Sequence, residues 1–345
     1  MLTREHRIAI LLHEGVKGLH GKTGLSVLRY SEASVVAVID RDTAGCSLPE
    51  LTGISRSVPI VASVQEALAY EPDVLLIGIA PSGGVLPEMG WQEVKQAIDA
   101  GLSIVNGLHT FMATHPDVPP VKDQQWIWDV RREPSGLTVG RGQARSLDCL
   151  RVLTVGTDMA VGKMSTSLEL NRTAQQRGLR SKFIATGQTG LMLGETGVAL
   201  DAVRVDFASG AIEKFVMEFG PDHDILHIEG QGSLMNPAST ATLPLLRGSQ
   251  PTHLILVHRA GQTQIRSFPD FTIPPLPEVI RVYETVASAG GTFAPVRIVA
   301  IALNTGHLEE DEAQMAIEQV QITTGLPCTD PIRYDANLLL DAILA

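Results

Sequence analysis

The sequence predicts an α/β protein of two domains, each built on a mostly parallel sheet. Short apolar runs alternate with helical patterns along both halves of the 345-residue chain, as they do in βαβ units. Hydrophobic residues make up 44% of the chain and aromatic residues only 4%, so the cores must be largely aliphatic. Aliphatic strands are typical of parallel sheets that helices cover on both faces.

Five apolar runs in the first domain predict strands at Ile8–Leu12, Val35–Ile39, Ile60–Ala62, Val74–Ile79 and Ser103–Val105. Helical patterns cover Ser63–Tyr70, with Ser63 as the N-cap, and Trp91–Ala100. Asp40 directly follows the second strand, where a Rossmann-type fold often places the acid that binds a ribose. We therefore predict a Rossmann-like parallel-sheet domain over residues 1–110.

The periodic pattern fades between residues 111 and 150, and we expect a connector there that packs through Trp126 and Trp128. A second domain is predicted over residues 151–345. Its strands are predicted at Val152–Val155, Lys182–Thr186, Ile225–Glu229, Leu254–His258 and Val296–Leu303. Its long helices are predicted at Met164–Arg177, Pro277–Ser288 and Glu309–Thr323.

The strongest motif is a loop bounded by Gly156 and Gly162 that leads from a strand into a helix through Lys163. Glycine lets several backbone N–H groups face one anion, the helix N-terminus adds partial positive charge, and the lysine reaches the outer phosphates. The spacing G-x5-G-K is one residue longer than the Walker A pattern, and Met164 replaces the usual Ser or Thr. The pattern predicts a P-loop NTPase-like α/β domain. Its expected cofactor-binding residues are Gly156, Thr157, Asp158, Gly162, Lys163, Met164, Ser165 and Thr166.

A second motif follows the strand Ile225–Glu229, where an acid is followed at once by Gly230-Gln231-Gly232. This arrangement is Walker-B-like, because the acid can hold a metal or its water beside the phosphates. We expect Glu229 and Ser165 to hold Mg²⁺, and Gly230 and Gln231 to contact the cofactor. The alternative is that Glu229 only caps a turn.

Polar residues at the ends of two further strands complete the candidate site, because ligands of open α/β sheets bind at the carboxyl ends of strands. Asn304 ends the strand Val296–Leu303, where P-loop proteins contact a nucleotide base. His258 ends the strand before it, and Arg259 and Arg266 follow.

A second G-x5-G-K loop, Gly15–Lys22, follows the first strand, and a companion loop, Ala80–Gly84, follows the fourth. The first loop predicts either another anion site or a glycine-rich turn beside a surface lysine. The second loop lies at the usual rim of an open α/β site.

These motifs resemble those of known families. Gly156–Lys163 and Ile228–Gly232 look like the P-loop and second acidic motif of dethiobiotin synthetase. Nearly the whole chain resembles the DgcN-like family, long catalogued as a domain of unknown function. The segments that carry this resemblance are Gly156–Leu170, Ile228–Pro237, Leu246–Pro251, Phe271–Pro277 and Lys22–Tyr30 with the following Val35–Asp40. The best understood members are reported as D-glutamate N-acetyltransferases that use acetyl-coenzyme A.

The resemblance implies a transferase of D-amino acid metabolism that acetylates a small acidic amino acid. The P-loop would hold the coenzyme's phosphates, with Lys163, Glu229 and His258 as candidate catalytic residues and His227 as a further candidate base. Arg259, Arg266 or Lys22 would bind the acceptor's carboxylates. Two alternatives stay open: an ATP-dependent ligase of the dethiobiotin-synthetase type, in which Lys163 stabilises the transferring phosphoryl group, and a nucleotide-binding regulatory protein without chemistry.

Composition limits the partners. A formal net charge of −11 argues against non-specific nucleic-acid binding, and no apolar run is long enough to span a membrane. The N-terminus has no signal-peptide apolar core, and the cysteines Cys46, Cys149 and Cys328 form no CxxC pair. We therefore expect a cytoplasmic homo-oligomer whose partner is a small-molecule amino-acid substrate.

Overall fold

The computed structural model describes residues 2–18, 20–81 and 84–345. The chain forms two compact units, Met1–Glu133 with Gln188–Glu195 and Pro134–Gly187 with Thr196–Ala345. The change from one to the other after Glu133 falls inside the segment 111–150.

The strands are β1 (Arg7–Leu11), β2 (Ser34–Ile39), β3 (Ile60–Val61), β4 (Val74–Ile77), β5 (Ser103–Asn106), β6 (Ile127–Asp129), β7 (Leu150–Gly156), β8 (Ser181–Ile184), β9 (Ile225–Ile228), β10 (His253–Arg259), β11 (Gln264–Ile265), β12 (Phe268–Thr272), β13 (Arg297–Asn304) and β14 (Cys328–Thr329). The α-helices are α1 (Lys22–Tyr30), α2 (Leu48–Thr52), α3 (Val64–Ala67), α4 (Glu88–Asp99), α5 (Lys163–Gln176), α6 (Gln188–Met192), α7 (Val205–Phe219), α8 (Thr242–Ser249), α9 (Leu276–Ser288), α10 (Glu310–Thr324) and α11 (Asn337–Leu344).

The first unit is built on a six-stranded sheet in the order β3-β2-β1-β4-β5-β6. Every neighbouring pair in it is parallel. This is the strand order of a Rossmann fold, so the predicted Rossmann-like domain is confirmed. Ser63 caps α3 as predicted, since its side chain accepts a hydrogen bond from Glu66 N at 3.3 Å. Strand β6 was not predicted; it lies in the segment 111–150, where a connector was expected, and joins the edge of this sheet.

The second unit contains a six-stranded parallel sheet in the order β14-β13-β10-β7-β9-β8 and a separate antiparallel hairpin of β11 and β12. Strand alternation divides its core into two layers. Leu153 and Leu256 pack in the layer that includes residues of α7, α8 and α9. Val152 and Val257 pack in the layer that includes Leu170 of α5 and residues of α11. With both faces covered, the predicted parallel α/β class is confirmed for this unit as well.

The topology places the carboxyl end of β7 in the middle of the second sheet, between β10 and β9. The chain segments that follow these three strands therefore meet at one edge. Among the described residues, no helix combines the length and apolar character needed to cross a membrane.

Candidate functional site

The Gly156–Lys163 loop connects β7 directly to α5, the strand–loop–helix order that a phosphate site requires. Apolar residues of β7 and the buried side chain of Val161 anchor the loop from below. Gly162 has φ +118°, a conformation that side chains other than glycine rarely adopt, and α5 begins at the next residue. The glycine thus turns the chain so that the N-terminus of a fourteen-residue helix faces the loop.

Lys163 lies folded over this loop and is only 6% exposed. Its Nζ donates to Asp158 O at 2.8 Å. A Cβ added to Gly156 would lie 3.1 Å from that Nζ and 3.2 Å from Lys163 Cδ, so the missing side chain makes room for the lysine. Glycines, a helix N-terminus and a lysine that can exchange a loop carbonyl for a phosphate oxygen fit a phosphate-bearing cofactor.

Thr157 is fully buried and joins the P-loop to the end of β10. Its Oγ1 lies 2.9 Å from Nδ1 of His258, and its backbone N donates to Val257 O at 3.2 Å. Burial lowers the pKa of His258 to about 4, so its imidazole is neutral at pH 7. The structure therefore brings a neutral histidine to the loop, as the position of His258 at a strand end predicted.

Asp158 is a buried anchor that ties the P-loop to two other loops. Its Oδ1 accepts from Met159 N and Asn236 Nδ2, both at 2.7 Å. Its Oδ2 accepts from Gln262 Nε2 and Arg266 N, both at 2.8 Å. Burial alone would raise the pKa of this carboxyl group, but these hydrogen bonds outweigh it and hold the pKa below its ordinary value. Asp158 thus orders the site through its side chain and receives Lys163 through its carbonyl.

Glu229 follows β9 and is 3% exposed. Its Oε2 accepts from the backbone N atoms of Thr186 at 2.9 Å and Gly187 at 3.2 Å, and its Oε1 accepts from Gln231 Nε2 at 2.8 Å. These three donors hold the carboxylate at the end of β9, as expected if Glu229 caps a turn. The carboxylate also lies at the edge of the sheet where the P-loop lies. Gln231 donates its side-chain amide to Glu229, and its expected contact with the cofactor stays a prediction.

Gly230 is required by close packing against β7. A Cβ at this position would lie 1.8 Å from Thr154 O and 2.9 Å from Lys163 Cδ. Its backbone N donates to Thr154 Oγ1 at 2.9 Å, and that hydroxyl also lies 3.0 Å from Ser167 Oγ on α5. The second acidic motif and the P-loop are therefore in direct contact.

Ser165, expected to hold Mg²⁺ together with Glu229, is one of three neighbouring residues of α5 that differ in exposure. Met164 is 7% exposed and Thr166 is buried, while Ser165 is half-buried. Among the residues the structure describes, no group of three or more His, Cys, Asp and Glu side chains is placed to hold a metal ion. Mg²⁺ often keeps several waters and binds through substrate phosphates, so a site from Ser165 and Glu229 stays a prediction.

Asn304 at the end of β13 supports the P-loop from the side. Its Nδ2 donates to Val161 O at 2.9 Å, and its Oδ1 accepts from Gly306 N at 3.2 Å. Asn304 therefore lies at a strand end beside the loop, as its position in the sequence indicated. Both ends of its amide are hydrogen-bonded within the protein, and its contact with a nucleotide base stays a prediction.

An open cleft of about 430 Å³ lies between the end of β10 and the hairpin of β11 and β12, beside the hydrogen bonds of Asp158. It brings together Arg259 and Arg266, both exposed, with His307 on its wall. Because Arg266 N and Gln262 Nε2 donate to Asp158, the hairpin side of the cleft is fixed to the P-loop. Because one guanidinium group can bind one carboxylate, two of them in one cleft suit a ligand with two carboxylates.

His227, considered as a base, lies on β9 and is fully buried. Neither ring nitrogen has a hydrogen-bond partner in the described part of the chain, and burial lowers its pKa to about 3. It cannot reach a substrate amine, so the structure excludes it from that role.

Tyr283 and Asn236 are site residues that the sequence analysis missed. The Tyr283 hydroxyl donates to Gly156 O at 2.7 Å and accepts from Leu234 N at 3.1 Å, which joins the P-loop to the segment after β9. Tyr283 is on α9, far from both motifs in sequence, and no local pattern marks it. Asn236 lies shortly after Gly232, and the polar run of that segment was a usable signal.

The second glycine loop, Gly15–Lys22, lies in the first unit and leads into α1. A Cβ on Gly21 would lie 1.9 Å from Gly15 O, so its glycines permit backbone to pack on backbone. Asp40 accepts from Glu14 N at 3.0 Å and from Thr43 Oγ1 at 2.7 Å, and is 1% exposed. Leu19 of this loop, and Ser82 and Gly83 of the companion loop Ala80–Gly84, lie outside the described residues.

Comparison with known proteins confirms the resemblance drawn from the sequence. Residues 138–340 match the family model described as "Domain of unknown function (DUF1611_C) P-loop domain", and residues 41–133 match "Domain of unknown function (DUF1611_N) Rossmann-like domain". A protein of Tritonibacter scottomollicae named D-glutamate N-acetyltransferase is 38% identical over 286 residues, 82% of this chain and 84% of its own length. A Pseudoalteromonas protein of the same name is 34% identical over 84% of each chain.

One solved structure is similar over its whole length. The crystal structure of a DUF1611 family protein from Anabaena variabilis is 64% identical, with a TM-score of 0.97 over 99% of each chain.

Proposed function

The chain belongs to the DUF1611 family, and from that premise we propose that it is an N-acetyltransferase that moves the acetyl group of acetyl-coenzyme A to the amine of a small acidic amino acid, D-glutamate first among them. One structural observation carries the proposal beyond the relatives' names. The P-loop and an arginine cleft that suits a carboxylate are joined through Asp158.

The P-loop is the proposed site of the donor's phosphates. The N–H groups of Thr157 and Met159 are bonded within the protein, so the other backbone N–H groups of the loop and the N-terminus of α5 are the proposed donors to an anion. The Lys163 ammonium already lies over the loop and can bind a phosphate oxygen in place of Asp158 O. Acetyl-coenzyme A brings the acyl group as a thioester, and the chain's part is to hold it and to position the amine.

His258 is the proposed proton acceptor for the amine. An ammonium group must lose a proton before its nitrogen can bond to the acetyl carbon as the carbon–sulfur bond breaks. With its lowered pKa, His258 is unprotonated at pH 7, and Thr157 Oγ1 orients its ring through Nδ1. Glu229 already accepts three hydrogen bonds, which suits a positioning role for the loops after β8 and β9.

The cleft beside the hairpin is the proposed acceptor site. An acidic amino acid carries two carboxylates, and Arg259 and Arg266 offer one guanidinium group for each. A chain with net charge −11 would repel such a substrate elsewhere, so a local pair of arginines matters more here than on a basic protein.

The decisive assay follows free thiol and ADP in parallel, with acetyl-coenzyme A or ATP–Mg²⁺ and a panel of D- and L-amino acids. We expect thiol release with D-glutamate and no ADP. ADP release with an acceptor and no thiol would assign the chain to the ligase alternative. Neither product with any acceptor would leave the nucleotide-binding regulatory alternative.

Substitution of the cleft arginines tests the acceptor site separately. Arg259→Gln and Arg266→Gln should each raise KM for the amino acid by roughly tenfold, because each removes a charge-assisted hydrogen bond, and leave KM for the donor unchanged. Arg281→Gln is the matched control, since Arg281 is an exposed arginine paired with Glu278 on α9 of the same unit. Equal KM values in all three variants would remove the cleft from the proposal.

A further inference from the structure

A second cleft in the P-loop-containing unit holds three arginines that the proposed reaction does not use. It has a volume of about 460 Å³ and shares no lining residue with the P-loop or the cleft of Arg259 and Arg266. Its charged lining consists of Arg141, Arg145 and Arg247 against the single carboxylate of Asp206. We propose that this cleft binds the phosphate group of a small molecule, and the proposal is independent of the acetyl-transfer reaction.

Close backbone packing builds the floor of the cleft from three segments of the unit. A Cβ on Gly210 of α7 would lie 1.8 Å from Thr138 O, and one on Gly248 of α8 would lie 2.3 Å from Ser209 O. These glycines allow α7, α8 and the segment before Arg141 to approach one another directly. The floor is therefore fixed by backbone contacts.

Buried Glu213 fixes the segment that carries two of the arginines. Its carboxylate accepts from the backbone N of Arg141 at 2.6 Å and also from the backbone N of Gln143. Gly142 between them has φ +67°, which completes a tight turn. The turn is thus held through main-chain N–H groups that donate to the Glu213 side chain, and the guanidinium groups of Arg141 and Arg145 form no ion pair in the part of the chain that the structure describes.

Arg247 gives the strongest sign that a ligand is expected. Its guanidinium carbon lies 4.4 Å above the Phe293 ring centroid, which fixes the plane of the group on the cleft wall. Its Nη1 is buried and has no hydrogen-bond partner within the described residues. A buried donor of a charged group without an acceptor is costly, and a rotation of the guanidinium group toward an anionic oxygen in the cleft would supply that acceptor.

The charge count favours phosphate over carboxylate. Three guanidinium groups line the cleft against the carboxylate of Asp206, with the buried carboxylate of Glu213 behind the turn, so the cleft keeps a net positive charge in a protein whose formal net charge is −11. A phosphate monoester carries up to two negative charges and three terminal oxygens, so it can accept from several arginines at once, whereas one guanidinium group satisfies a carboxylate. The ligand can be inorganic phosphate or a phosphate ester of a nucleoside.

Calorimetry on the full-length Lys163→Ala chain tests the proposal, because that substitution weakens phosphate binding at the P-loop. The probes are inorganic phosphate, AMP and acetate. We expect phosphate or AMP to bind at one site per chain, with an affinity that falls as salt is added, and acetate to bind at least tenfold more weakly. Binding of AMP over phosphate would identify an ester ligand, and the reverse would identify the free ion.

Arginine substitutions locate the binding. Arg141→Gln and Arg247→Gln should each weaken it about tenfold or more, while Arg177→Gln, an exposed arginine paired with Asp341, should leave it unchanged. If Lys163→Ala does not fold, the same substitutions in the unsubstituted chain should remove one of two phosphate-binding events. Absence of binding, equal affinity for acetate, or equal weakening by Arg177→Gln would overturn the proposal.

Discussion

Two loops of this chain share the spacing G-x5-G-K, Gly15–Lys22 and Gly156–Lys163, and they differ in what occupies the space that glycine leaves. At Gly162, the glycine before Lys163, the nearest atoms to an added Cβ are Asn304 Nδ2 at 3.7 Å and Val257 Cγ1 at 3.9 Å, so the space is open. At Gly21, the equivalent glycine before Lys22, the nearest atom is a backbone oxygen, Gly15 O, at 1.9 Å.

The lysines differ in the same way. Lys163 is 6% exposed and lies over its loop, while Lys22 is exposed at the first position of α1. A glycine spacing therefore permits two outcomes: backbone that closes on itself as a turn, or backbone that opens around a charged side chain. Contacts from outside the second loop support its open form, because Asn236 and Arg266 donate to the Asp158 side chain and Tyr283 donates to Gly156 O.

Replacing each lysine should separate the two loops most clearly. We expect Lys163→Ala to weaken binding of the phosphate-bearing donor roughly a hundredfold, because an ammonium group that lies on the loop is lost. Lys22→Ala should change that affinity less than twofold. Calorimetry with acetyl-coenzyme A and with ATP–Mg²⁺, on variants shown to be folded by circular dichroism, measures both. Similar losses from the two variants would contradict the distinction.

Replacing a glycine in each loop should divide stability from binding. Gly21→Ala forces a Cβ onto a backbone oxygen and should lower the free energy of unfolding by about 2 kcal/mol. Gly156→Ala displaces only the ends of Val161 and Lys163, so it should weaken donor binding about tenfold and lower stability by less than about 1 kcal/mol. Urea unfolding and calorimetry on both variants test this, and the reverse pattern would show that backbone closes the P-loop.

Acid should act on the P-loop-containing unit, because burial lowers the pKa of His227 to about 3 and that of His258 to about 4, and both residues lie in this unit. Each is neutral when folded and binds a proton when unfolded below about pH 6.5, so its contribution to stability is present above that pH and is lost as pH falls toward the folded pKa. Between pH 6 and pH 4.5 each should cost about 1.4 kcal/mol per pH unit.

His227→Leu should remove one of these contributions. Its unfolding free energy should match or exceed that of the unsubstituted chain at pH 7, since the ring nitrogens have no partner among the described residues, and should fall less steeply with acid. His307→Gln, at an exposed histidine, is the control and should keep the original slope. An unchanged slope in His227→Leu would show that His227 is already protonated in the folded chain.

The smallest expected effect is that of Tyr283→Phe. The change removes one hydroxyl that bonds to Gly156 O and Leu234 N, and should lower the unfolding free energy by about 1 kcal/mol. Donor affinity should fall severalfold if the hydroxyl helps hold the P-loop open. Unaltered affinity with lowered stability would restrict Tyr283 to a structural role.

The sequence was sufficient wherever a local pattern determines structure. The apolar runs of β1, β4, β9 and β10 were found within a few residues, because buried parallel strands leave a continuous apolar signal. β6 was missed because Ile127–Asp129 is a strand of only three residues at the edge of the sheet. β6 forms by pairing with β5, a long-range contact that the local sequence pattern does not indicate.

The site follows the same division. The P-loop and Glu229 could be predicted because strand, glycine and acid are adjacent in sequence. The sequence could not show that His227 is enclosed in the core while His258 lies at the P-loop. Both histidines are on strands, and they differ only in whether the ring lies inside the unit or at the end of the sheet. The connection from Asp158 to Arg266 spans more than a hundred residues and leaves no local signal.

That connection has a consequence for the motions of the loops. The backbone N–H groups of Met159 and Arg266 both donate to the Asp158 carboxylate. Neither can exchange its hydrogen with solvent until its hydrogen bond to Asp158 breaks. The rates of deuterium uptake at these two amides should therefore change together, although Met159 lies in the loop after β7 and Arg266 lies between β11 and β12. A donor whose binding moves Lys163 Nζ away from Asp158 O should therefore change the rate of deuterium uptake in the hairpin, even when no acceptor is bound.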